Sequence, residues 1–576
     1  MLTKLKVFLK EQKIDYFLLP NSDEFFSEYL SESEKRIQYL TGFNGSNAVV
    51  IFGVEKSYFF TDGRYILQAQ NQLDLKEFEI FNMAEKSVLT WISENLTAQK
   101  KLALDPKLMS VNFVNSCKKN AGDLLFLDCN PVDKIWHDRP KATNSVIFGC
   151  AKKLTGIDSQ TKRAQILQNL EADAVIITKP ENICWLLNIR AADIEFTPLL
   201  LAYAILFKNG EVELFAEEKR STDLKNPDLA KVNFLQPNCF DLRISALSKS
   251  LKKIQIDEAS TNYWLYDLLQ KNNFEIINKI DAIEIAKSCK NHAEIFGAIE
   301  AHKVDGLAVT KFLFWLQNNS QTDEIKAAEK LLEFRKESAD FLYPSFASIS
   351  GFASNGAVIH YHATPKTNKK ISGDSLYLID SGGQYFGADF FGTTDVTRTI
   401  AIGKPSAEMI ENFTRVLKGH IALARAKFPR GTSGAQLDAL ARNHLWQAGL
   451  DFDHGTGHGV GSFLSVHEGP CGISKRAHQT LLEGMILSNE PGFYKANEYG
   501  IRIENLMLVE KFDEKFLQFR TLTLVPLDPD LIDFRMLTYP EKKWLRQYHE
   551  MILSLIKYAL NSEEKNWLQE LLKKFS

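Results

Sequence analysis

The stretch DSLYLIDSGGQYFGADFFGTTDVTRTIAI, residues 374–402, reads as two strands joined through a glycine-rich turn. Alternate side chains of a strand lie on the same face of its sheet. One face of the first strand carries Leu376, Leu378 and Asp380. One face of the second strand carries Asp395, Thr397 and Thr399. If the strands pair, Asp380 and Asp395 lie within several ångströms of each other. Like charges so placed repel unless a cation lies between them, so the pattern indicates either a cation site or solvated turn aspartates.

A histidine-rich loop follows, HGTGHGVGSFLSVHEGP at residues 454–470, with His454, His458 and His467. Its glycines allow close approach of the backbone and unusual dihedral angles. The segment GTGHGVG also contains a register like that of a nucleotide-binding loop. That interpretation is weak, because the strand-to-helix context of a phosphate site is missing.

Two further carboxylates stand in SNEPGFY (Glu490) and in GIRIENLMLV (Glu504). Pro491 and Gly492 predict a turn directly after Glu490. Alternation places Glu504 on a strand, with Arg502 on the same face. Taken singly, each glutamate is better explained as a surface salt-bridge group.

Together these segments supply four carboxylates and one imidazole: Asp380, Asp395, His458, Glu490 and Glu504. Oxygen-rich ligands with one nitrogen suit divalent ions such as Mn²⁺, Co²⁺ or Zn²⁺. Four anions neutralise two such ions, and metals about 3.5–4 Å apart can share bridging carboxylates. The set therefore predicts a centre of two divalent metal ions.

The rest of the chain predicts an α/β and α+β protein of four parts. Residues 1–145 and 150–290 each alternate helix with strand, which suggests an internal duplication, and the polar segment 136–144 reads as a linker. Residues 291–515 form an antiparallel α+β domain that opens with a helix over 292–318. The last part, 516–576, reads as a mainly helical extension. Further predicted elements are strands at 15–20, 47–52, 56–61 and 174–178, a hairpin of 199–207 with 211–215, and helices at 162–170, 406–428 and 433–448.

Bulk composition argues against several classes of protein. The net charge is −3, so the basic surplus typical of nucleic-acid binders is missing. Seven scattered cysteines without a CxxC pair disfavour a disulfide framework and indicate a cytoplasmic protein with reduced thiols. The N-terminus predicts an amphipathic first helix, since its apolar run is too short for a signal peptide. The longest apolar run, residues 198–207, is too short to span a membrane.

Motifs along nearly the whole chain resemble metallopeptidase family M24, of the "pita-bread" fold. More narrowly, they resemble the long, three-domain Xaa-Pro aminopeptidases (aminopeptidase P). In chain order the similar segments begin at the residues given: LTGFNGS (40), FFTDGRYILQAQ (59), VIHYHA (358), YLIDSGGQY (377), GTTDVTRT (392), VLKGHIAL (416), HGTGHGVGSFLSVHEGPCGIS (454), NEPGFY (489), GIRIEN (500), TLTLVPLDPDLID (521) and WLRQYHE (544).

The resemblance implies a role for each site residue. Asp380 would chelate one metal, Asp395 and Glu504 would bridge both, and His458 and Glu490 would complete the second metal. His360, His454 and His467 match the family's three active-site histidines that are not ligands, and they would bind substrate and steady the tetrahedral intermediate. Arg502 would orient Glu504 or Asp380. Mn²⁺ would be the preferred metal at both positions, and Zn²⁺ or Co²⁺ are the alternatives.

The implied reaction is hydrolysis of an N-terminal Xaa-Pro bond by a metal-bridging hydroxide, with Glu490 carrying the proton to the proline nitrogen. The partner is accordingly a peptide with proline second, and neither nucleic acid nor membrane is expected. The two creatinase-like N-terminal α/β domains of the family restrict access to the site and contribute to a homodimer. Arg64 either reaches the mouth of the site or makes a structural salt bridge.

One departure from the family concerns the hairpin between Asp380 and Asp395. It is longer than expected by about four residues within FGADFF, and a slip of register by an odd number would turn one aspartate away. Asp389 would then be a substitute ligand, although GTTDVTRT favours Asp395.

Other activities on the same fold stay open as alternatives. The nearest is a prolidase, which cuts Xaa-Pro dipeptides with the same metals. A methionine aminopeptidase usually lacks both preceding domains. A non-catalytic binding protein or a creatinase-like amidinohydrolase would lack most of the five ligands that this chain retains.

Overall fold

The computed structural model describes residues 1–97, 99–120, 123–222, 225–319 and 321–575. Its contacts divide the chain into two units. The first comprises Met1–Ala151 and Ile157–Glu284, and the second comprises Lys152–Gly156 and Ile285–Ser576. Within the described ranges, no helix combines the length and the apolar character needed to cross a bilayer.

The first unit begins with a six-stranded mixed sheet of order β4-β3-β2-β1-β5-β6. Its strands are β1 (Tyr16–Pro20), β2 (Val49–Gly53), β3 (Ser57–Thr61), β4 (Phe78–Asn82), β5 (Lys101–Leu104) and β6 (Asp123–Phe126). The accompanying helices are α1 (Leu2–Glu11), α2 (Arg36–Thr41), α3 (Ile66–Gln72), α4 (Val88–Asn95), α5 (Val111–Asn120) and α6 (Pro131–Ile135).

Both faces of this sheet are covered by apolar packing. Phe17 and Leu19 of β1 enter one hydrophobic cluster, whereas Leu18 between them enters the other. This division follows from the two-residue period of a strand. Helix α1 is amphipathic as predicted, and it buries Leu5 and Leu9.

A second sheet repeats the arrangement, in the order β12-β11-β10-β8-β13-β14. The strands of this region are β7 (Phe148–Gly149), β8 (Ala174–Ile177), β9 (Ile189–Arg190), β10 (Ala204–Phe207), β11 (Val212–Phe215), β12 (Val232–Leu235), β13 (Lys253–Ile256) and β14 (Glu275–Asn278). The helices of this part of the chain are α7 (Lys152–Thr155), α8 (Ser159–Leu167), α9 (Pro180–Leu186), α10 (Phe240–Leu247), α11 (Tyr263–Lys271) and α12 (Ala282–Ser288). Of these, α7 belongs to the second unit, and the boundary between the units falls within α12.

The two sheets share their topology. In the first sheet, β1 pairs antiparallel with β2 and parallel with β5. In the second sheet, β8 pairs antiparallel with β10 and parallel with β13. The outer pairs are parallel in both. This shared topology is what an internal duplication would produce, and the duplication itself stays a prediction.

The second unit contains antiparallel pairings throughout its described residues, as predicted. Its strands are β15 (Phe341–Pro344), β16 (Ile349–Phe352), β17 (Ser375–Ser381), β18 (Gly383–Phe386), β19 (Phe391–Thr393), β20 (Val396–Ile402), β21 (Lys427–Pro429), β22 (Gly457–His458), β23 (Gly472–Ile473), β24 (Ile486–Asn489), β25 (Gly492–Lys495), β26 (Tyr499–Arg502), β27 (Asn505–Lys511) and β28 (Phe516–Thr521). Its helices are α13 (His292–Asn318), α14 (Glu324–Lys336), α15 (Ala407–Ala424), α16 (Gly434–Trp446), α17 (Tyr539–Ile556) and α18 (Ser562–Lys573).

Helix α13 has the predicted bounds because its start is strongly specified. The Asn291 side chain accepts from the backbone of Glu294, and the Glu294 side chain accepts from the backbone N–H of Asn291. This reciprocal capping box satisfies donors that a helix otherwise leaves without partners. Further along, Gly297 lets the backbone of Phe391 approach, since a Cβ there would lie 2.2 Å from its carbonyl oxygen.

One hydrophobic core of the second unit joins the helices of the tail to the strand segment before Glu504. It contains Ile501 and Ile503 together with Leu545, Ile552 and Leu568 from α17 and α18. Ile501 and Ile503 point into this core, so the alternating side chains Arg502 and Glu504 point the opposite way, toward the candidate site.

Two predicted elements differ from the structure. Residues 199–203 are not part of β10, because the buried Asp193 carboxylate accepts from the backbone N–H of Leu201 and competes with strand pairing. The segment 516–521 is the strand β28 rather than the start of a helical tail. It pairs with β27 and buries Leu517 and Phe519 on one face.

Candidate metal centre

The long hairpin keeps one register from its base to its tip. Ser375 pairs with Ile402 at the base and Asp380 pairs with Thr397. The same register continues into β18 and β19, where Phe386 pairs with Phe391. The extra residues therefore lengthen the hairpin without a slip. Asp395 lies two residues before Thr397, so both aspartates face the same side.

Three overlapping groups of side chains are placed so that each could hold a metal ion, with the ligand atoms of a group within 4.8 Å of one another. They are Asp380 with Asp395 and Glu504; His458 with Glu490 and Glu504; and Asp395 with His458 and His467. All five predicted ligands belong to these groups. His467, predicted to bind substrate, also lies within ligand distance of the centre.

The two aspartates each present a buried oxygen suited to a cation. Asp380 is 8% exposed and Asp395 is 3% exposed. Asp380 Oδ2 accepts from Arg502 Nη2 at 2.6 Å. The Oδ1 atoms of both aspartates are buried and accept no hydrogen bond from the described part of the chain. A buried carboxylate oxygen without a donor is costly, and a divalent cation would supply the missing partner. The donor set thus fits the predicted metals.

The two glutamates enter from the segments that follow β24 and β26. Glu504 Oε2 accepts from Thr397 Oγ1 at 2.7 Å. Glu490 Oε1 accepts from Ser488 Oγ at 3.0 Å, and that hydroxyl in turn accepts from the backbone N–H of His458 at 2.9 Å. These contacts hold one oxygen of each carboxylate by a hydrogen bond from a hydroxyl group.

His458 is held with its Nε2 toward the carboxylates. Its Nδ1 lies 3.0 Å from the carbonyl oxygen of Gly459, which requires the proton on Nδ1. Nε2 lies 3.5 Å from Asp395 Oδ2 and 3.4 Å from Glu490 Oε1. This tautomer is the one that a metal-ligating histidine needs, because its second nitrogen donates to a backbone carbonyl.

The electrostatics of the protein alone reflect four crowded carboxylates. Burial, together with the charge of the neighbouring Asp380, raises the pKa of Asp395 to about 6 against the lowering effect of His458. Burial also raises the pKa of Glu504, together with repulsion from Asp395, Glu490 and Asp380. Burial opposes protonation of His458, yet contact with Asp395 and Glu490 raises its pKa to about 9. Each shift expresses a deficit of positive charge, which two divalent cations would remove.

Arg502 contacts Asp380 rather than Glu504, which resolves the two predicted options. Its Nε donates to Thr397 Oγ1 at 3.1 Å and its Nη1 donates to Tyr494 Oη at 2.7 Å. Tyr494 also lies 2.9 Å from Nε2 of His454. A hydrogen-bonded row thus links His454, Tyr494, Arg502 and Asp380. Sequence reasoning did not assign Tyr494, and its place four residues after Glu490 was the available signal.

The remaining predicted residues lie outside the ligand groups. His360 is half-buried in the segment between β16 and β17 and belongs to none of the three groups. His362 was not assigned from the sequence. Desolvation lowers the pKa of His362 while the charge of Asp380 raises it, so this ring lies within electrostatic reach of the centre. Arg64 forms the structural ion pair that was one of its two predicted roles, at 2.8 Å from Asp62.

Asp389 lies at the tip of the hairpin, where its side chain is 83% exposed and pairs with Lys153. It is not a substitute ligand in this geometry. We expect Asp389→Ala to retain Mn²⁺ affinity and kcat/KM within about twofold, because exposed ion pairs contribute little. Asp395→Asn should instead weaken Mn²⁺ binding at least about tenfold. Calorimetric metal titration of both variants checks this, and a loss of metal in Asp389→Ala would contradict it.

Four protein-family models match successive parts of the chain, and they agree with a metal centre in its second half. Metallopeptidase family M24 matches residues 298–511, and a C-terminal region of peptidase M24 matches 515–575. Creatinase/prolidase N-terminal domains match 1–136 and 138–294. Fold and site together thus define a metallopeptidase with two creatinase-like domains in front, which confirms the predicted fold class.

Two full-length relatives narrow the class. Xaa-Pro aminopeptidase 1 from Dictyostelium discoideum is 37% identical over 99% of this chain and 95% of its own length. The crystal structure of X-prolyl aminopeptidase from Caenorhabditis elegans, described as a cytosolic enzyme with a di-nuclear active site, matches with a TM-score of 0.91. It is 32% identical and covers 97% of this chain and 95% of its own. The chain therefore belongs to the Xaa-Pro aminopeptidases of metallopeptidase family M24.

A shorter structural relative shows the contrast. The prolidase from Pyrococcus horikoshii is 25% identical with a TM-score of 0.52. It covers 64% of this chain but 99% of its own length. The likeness to prolidase therefore leaves about a third of the chain unmatched.

Proposed function

We propose that the protein hydrolyses the N-terminal Xaa-Pro bond of peptides with proline in second position. The observation that carries this proposal is the set of three overlapping ligand groups, two of which include an aspartate of the hairpin. Oδ1 of Asp380 and Oδ1 of Asp395 accept no hydrogen bond from the residues that the structure describes. Full-length likeness to Xaa-Pro aminopeptidases supports this activity over that of a prolidase.

The site would hold two divalent cations, and Mn²⁺ is our proposal ahead of Zn²⁺ and Co²⁺. Asp380 would bind one ion, His458 and Glu490 the other, and Asp395 and Glu504 both. Mn²⁺ is favoured because carboxylates outnumber nitrogen donors four to one. When bound, the cations supply Lewis acidity for the scissile carbonyl and a water made acidic enough to react near neutral pH.

The protein's own groups then handle protons and orientation. Glu490 is partly accessible and is aligned by Ser488, so its carboxylate can accept a proton from water and pass it to the proline nitrogen. Arg502 holds the Asp380 carboxylate by a charge-assisted hydrogen bond. His360, His454 and His467 would bind the substrate backbone, with the His454 ring oriented by Tyr494.

Three further features are proposed with this function. The chain would comprise an N-terminal domain (1–145), a second domain of similar type (150–290), a catalytic domain (291–515) and an extension (516–576). It would act as a homodimer, and it would be cytoplasmic like the described Caenorhabditis elegans enzyme.

Substrate preference tests the proposal. The purified protein with Mn²⁺ should cleave a Xaa-Pro-Pro tripeptide at least about tenfold faster than the corresponding Xaa-Pro dipeptide, because an aminopeptidase site must accommodate the chain beyond proline. Preferential cleavage of the dipeptide would assign a prolidase. No cleavage of either peptide with Mn²⁺, Co²⁺ or Zn²⁺ would refute a metallopeptidase.

A further inference from the structure

A buried ionic cluster lies directly behind the histidine loop. Glu468 follows His467 in the chain, and its side chain is 1% exposed. Lys287 Nζ lies 3.2 Å from Glu468 Oε2, and Lys290 Nζ lies 3.3 Å from Glu468 Oε1. Both lysine side chains are 2% exposed. Charges this deeply buried lose their hydration, so removing one partner leaves the other in an unfavourable environment.

The lysines are set in place by the chain around them. Lys287 belongs to α12, and Lys290 precedes the Asn291 cap of α13. The backbone N–H of Lys290 donates to the carbonyl oxygen of Gly484 at 3.0 Å. The lysine ends of the cluster are thus tied to regular structure, while the glutamate belongs to an irregular loop.

The Gly459 carbonyl oxygen connects Glu468 to the metal centre. That oxygen accepts from the backbone N–H of Glu468 at 2.8 Å. It is also the oxygen that lies 3.0 Å from Nδ1 of His458 and so sets the tautomer of that ring. The rings of His458 and His467 lie 4.3 Å apart, nearly perpendicular. Glu468 therefore follows His467 in the chain, and its backbone N–H holds the Gly459 carbonyl that orients His458.

Two glycines of the HGVG segment make room for Glu468. A Cβ on Gly459 would lie 2.1 Å from the Glu468 carbonyl oxygen. A Cβ on Gly461 would lie 2.7 Å from Glu468 Oε2. These glycines, which also resemble those of a phosphate-binding loop, are thus explained by close packing around the backbone and the carboxylate of Glu468.

We infer that Lys287, Lys290 and Glu468 form an ionic anchor that positions His458 and His467 for metal and substrate binding. Glu468 is a positioning residue, since it belongs to none of the three ligand groups. The inference rests on the proposed function, because it assigns His458 as a metal ligand. It adds to the proposed function that metal affinity also depends on Glu468, a residue outside the ligand set.

Glu468→Gln tests the anchor, because it keeps the shape of the side chain and removes its charge. With the full-length protein, Mn²⁺ affinity measured by calorimetry should fall at least about tenfold, the size expected when a partner behind a ligand is lost. The kcat on a Xaa-Pro-Pro peptide should fall more than KM rises, because ligand geometry rather than peptide contact is disturbed. Glu468→Asp, which keeps the charge, should restore part of both losses.

A matched control separates positioning from simple loss of stability. Lys418 and Glu541 form another largely buried ion pair in the second unit, at 2.8 Å. Glu541→Gln should lower the melting temperature but leave Mn²⁺ affinity unchanged below the transition. Should Glu468→Gln fail to fold, Lys290→Met gives a second route to the same measurement.

The outcomes distinguish this inference from the proposed function. Wild-type protein that neither binds Mn²⁺ nor cleaves the peptide would refute the proposed function itself. Wild-type protein that does both, alongside a folded Glu468→Gln or Lys290→Met variant with unchanged affinity and kcat, would overturn the anchor alone.

Discussion

Glu490→Gln should lower kcat/KM on a Xaa-Pro-Pro peptide about a thousandfold, the scale on which a positioned acid–base group contributes. Glutamine keeps the hydrogen bond from Ser488, but it can neither carry a proton at neutral pH nor supply a negative charge to a cation. The fold should persist, because Glu490 is only partly buried and its backbone N–H donates to Thr456 regardless of the side chain. Steady-state kinetics and circular dichroism measure both parts of the expectation.

Glu498 provides the control for this variant. It lies eight residues further on, is exposed, and pairs with Lys495 at 3.0 Å. Glu498→Gln should therefore leave kcat/KM within about twofold, as expected for a surface pair. Retained activity in Glu490→Gln would remove Glu490 from the mechanism.

Removal of metal should abolish activity and lower the melting temperature by about 5 °C, with recovery of both on addition of Mn²⁺. The physical reason is that Asp380, Asp395, Glu490 and Glu504 repel one another once no cation lies between them. Peptide assays and thermal unfolding before and after chelation check the two effects. Full activity in the thoroughly chelated protein would contradict a metal-dependent reaction.

In the metal-free protein, the contribution of the metal centre to stability should also fall as pH rises. Burial raises the folded-state pKa of Asp395 from 3.8 to about 6, so this contribution is present below the unfolded value and is lost as pH rises through about 6. Despite burial, contact with carboxylates raises the pKa of His458 from 6.5 to about 9, and its contribution is lost as pH rises through that value.

The metal-loaded protein should show the opposite trend between about pH 6 and pH 8, because protons compete with cations for the same ligand atoms. The gap in melting temperature between the two forms therefore widens with pH. Parallel thermal scans at several pH values measure it. A gap that does not depend on pH would show that the crowded carboxylates do not govern stability.

Local patterns predicted much of the fold because their causes are local. The cap of α13 lies within four residues of sequence, and the hairpin of Asp380 and Asp395 joins neighbouring strands. The prediction of a helical tail is wrong for 516–521, because the alternating Leu517 and Phe519 of this segment are typical of a strand. The alternation of buried and exposed side chains predicts this strand correctly. The residues that follow have a composition typical of helices, which favours the wrong assignment.

The candidate site was predictable where motifs carry the ligands, and not where distant residues support them. Lys290 and Glu468 are 178 residues apart, so neither periodicity nor spacing connects them. Tyr494 was missed for a related reason. Its hydroxyl gains meaning only when β25 and β26 bring Arg502 beside it and the histidine loop brings His454.

The repeated strand order of the two N-terminal sheets bears on how the chain folds during synthesis. The first sheet draws its strands from residues 16–126 and the second from 174–278, without borrowing from each other. Each can close soon after its own segment leaves the ribosome, as N-terminal domains generally do. The metal ligands, spread over 380–504, emerge only afterwards, so two finished sheets are already present when the last carboxylate is translated.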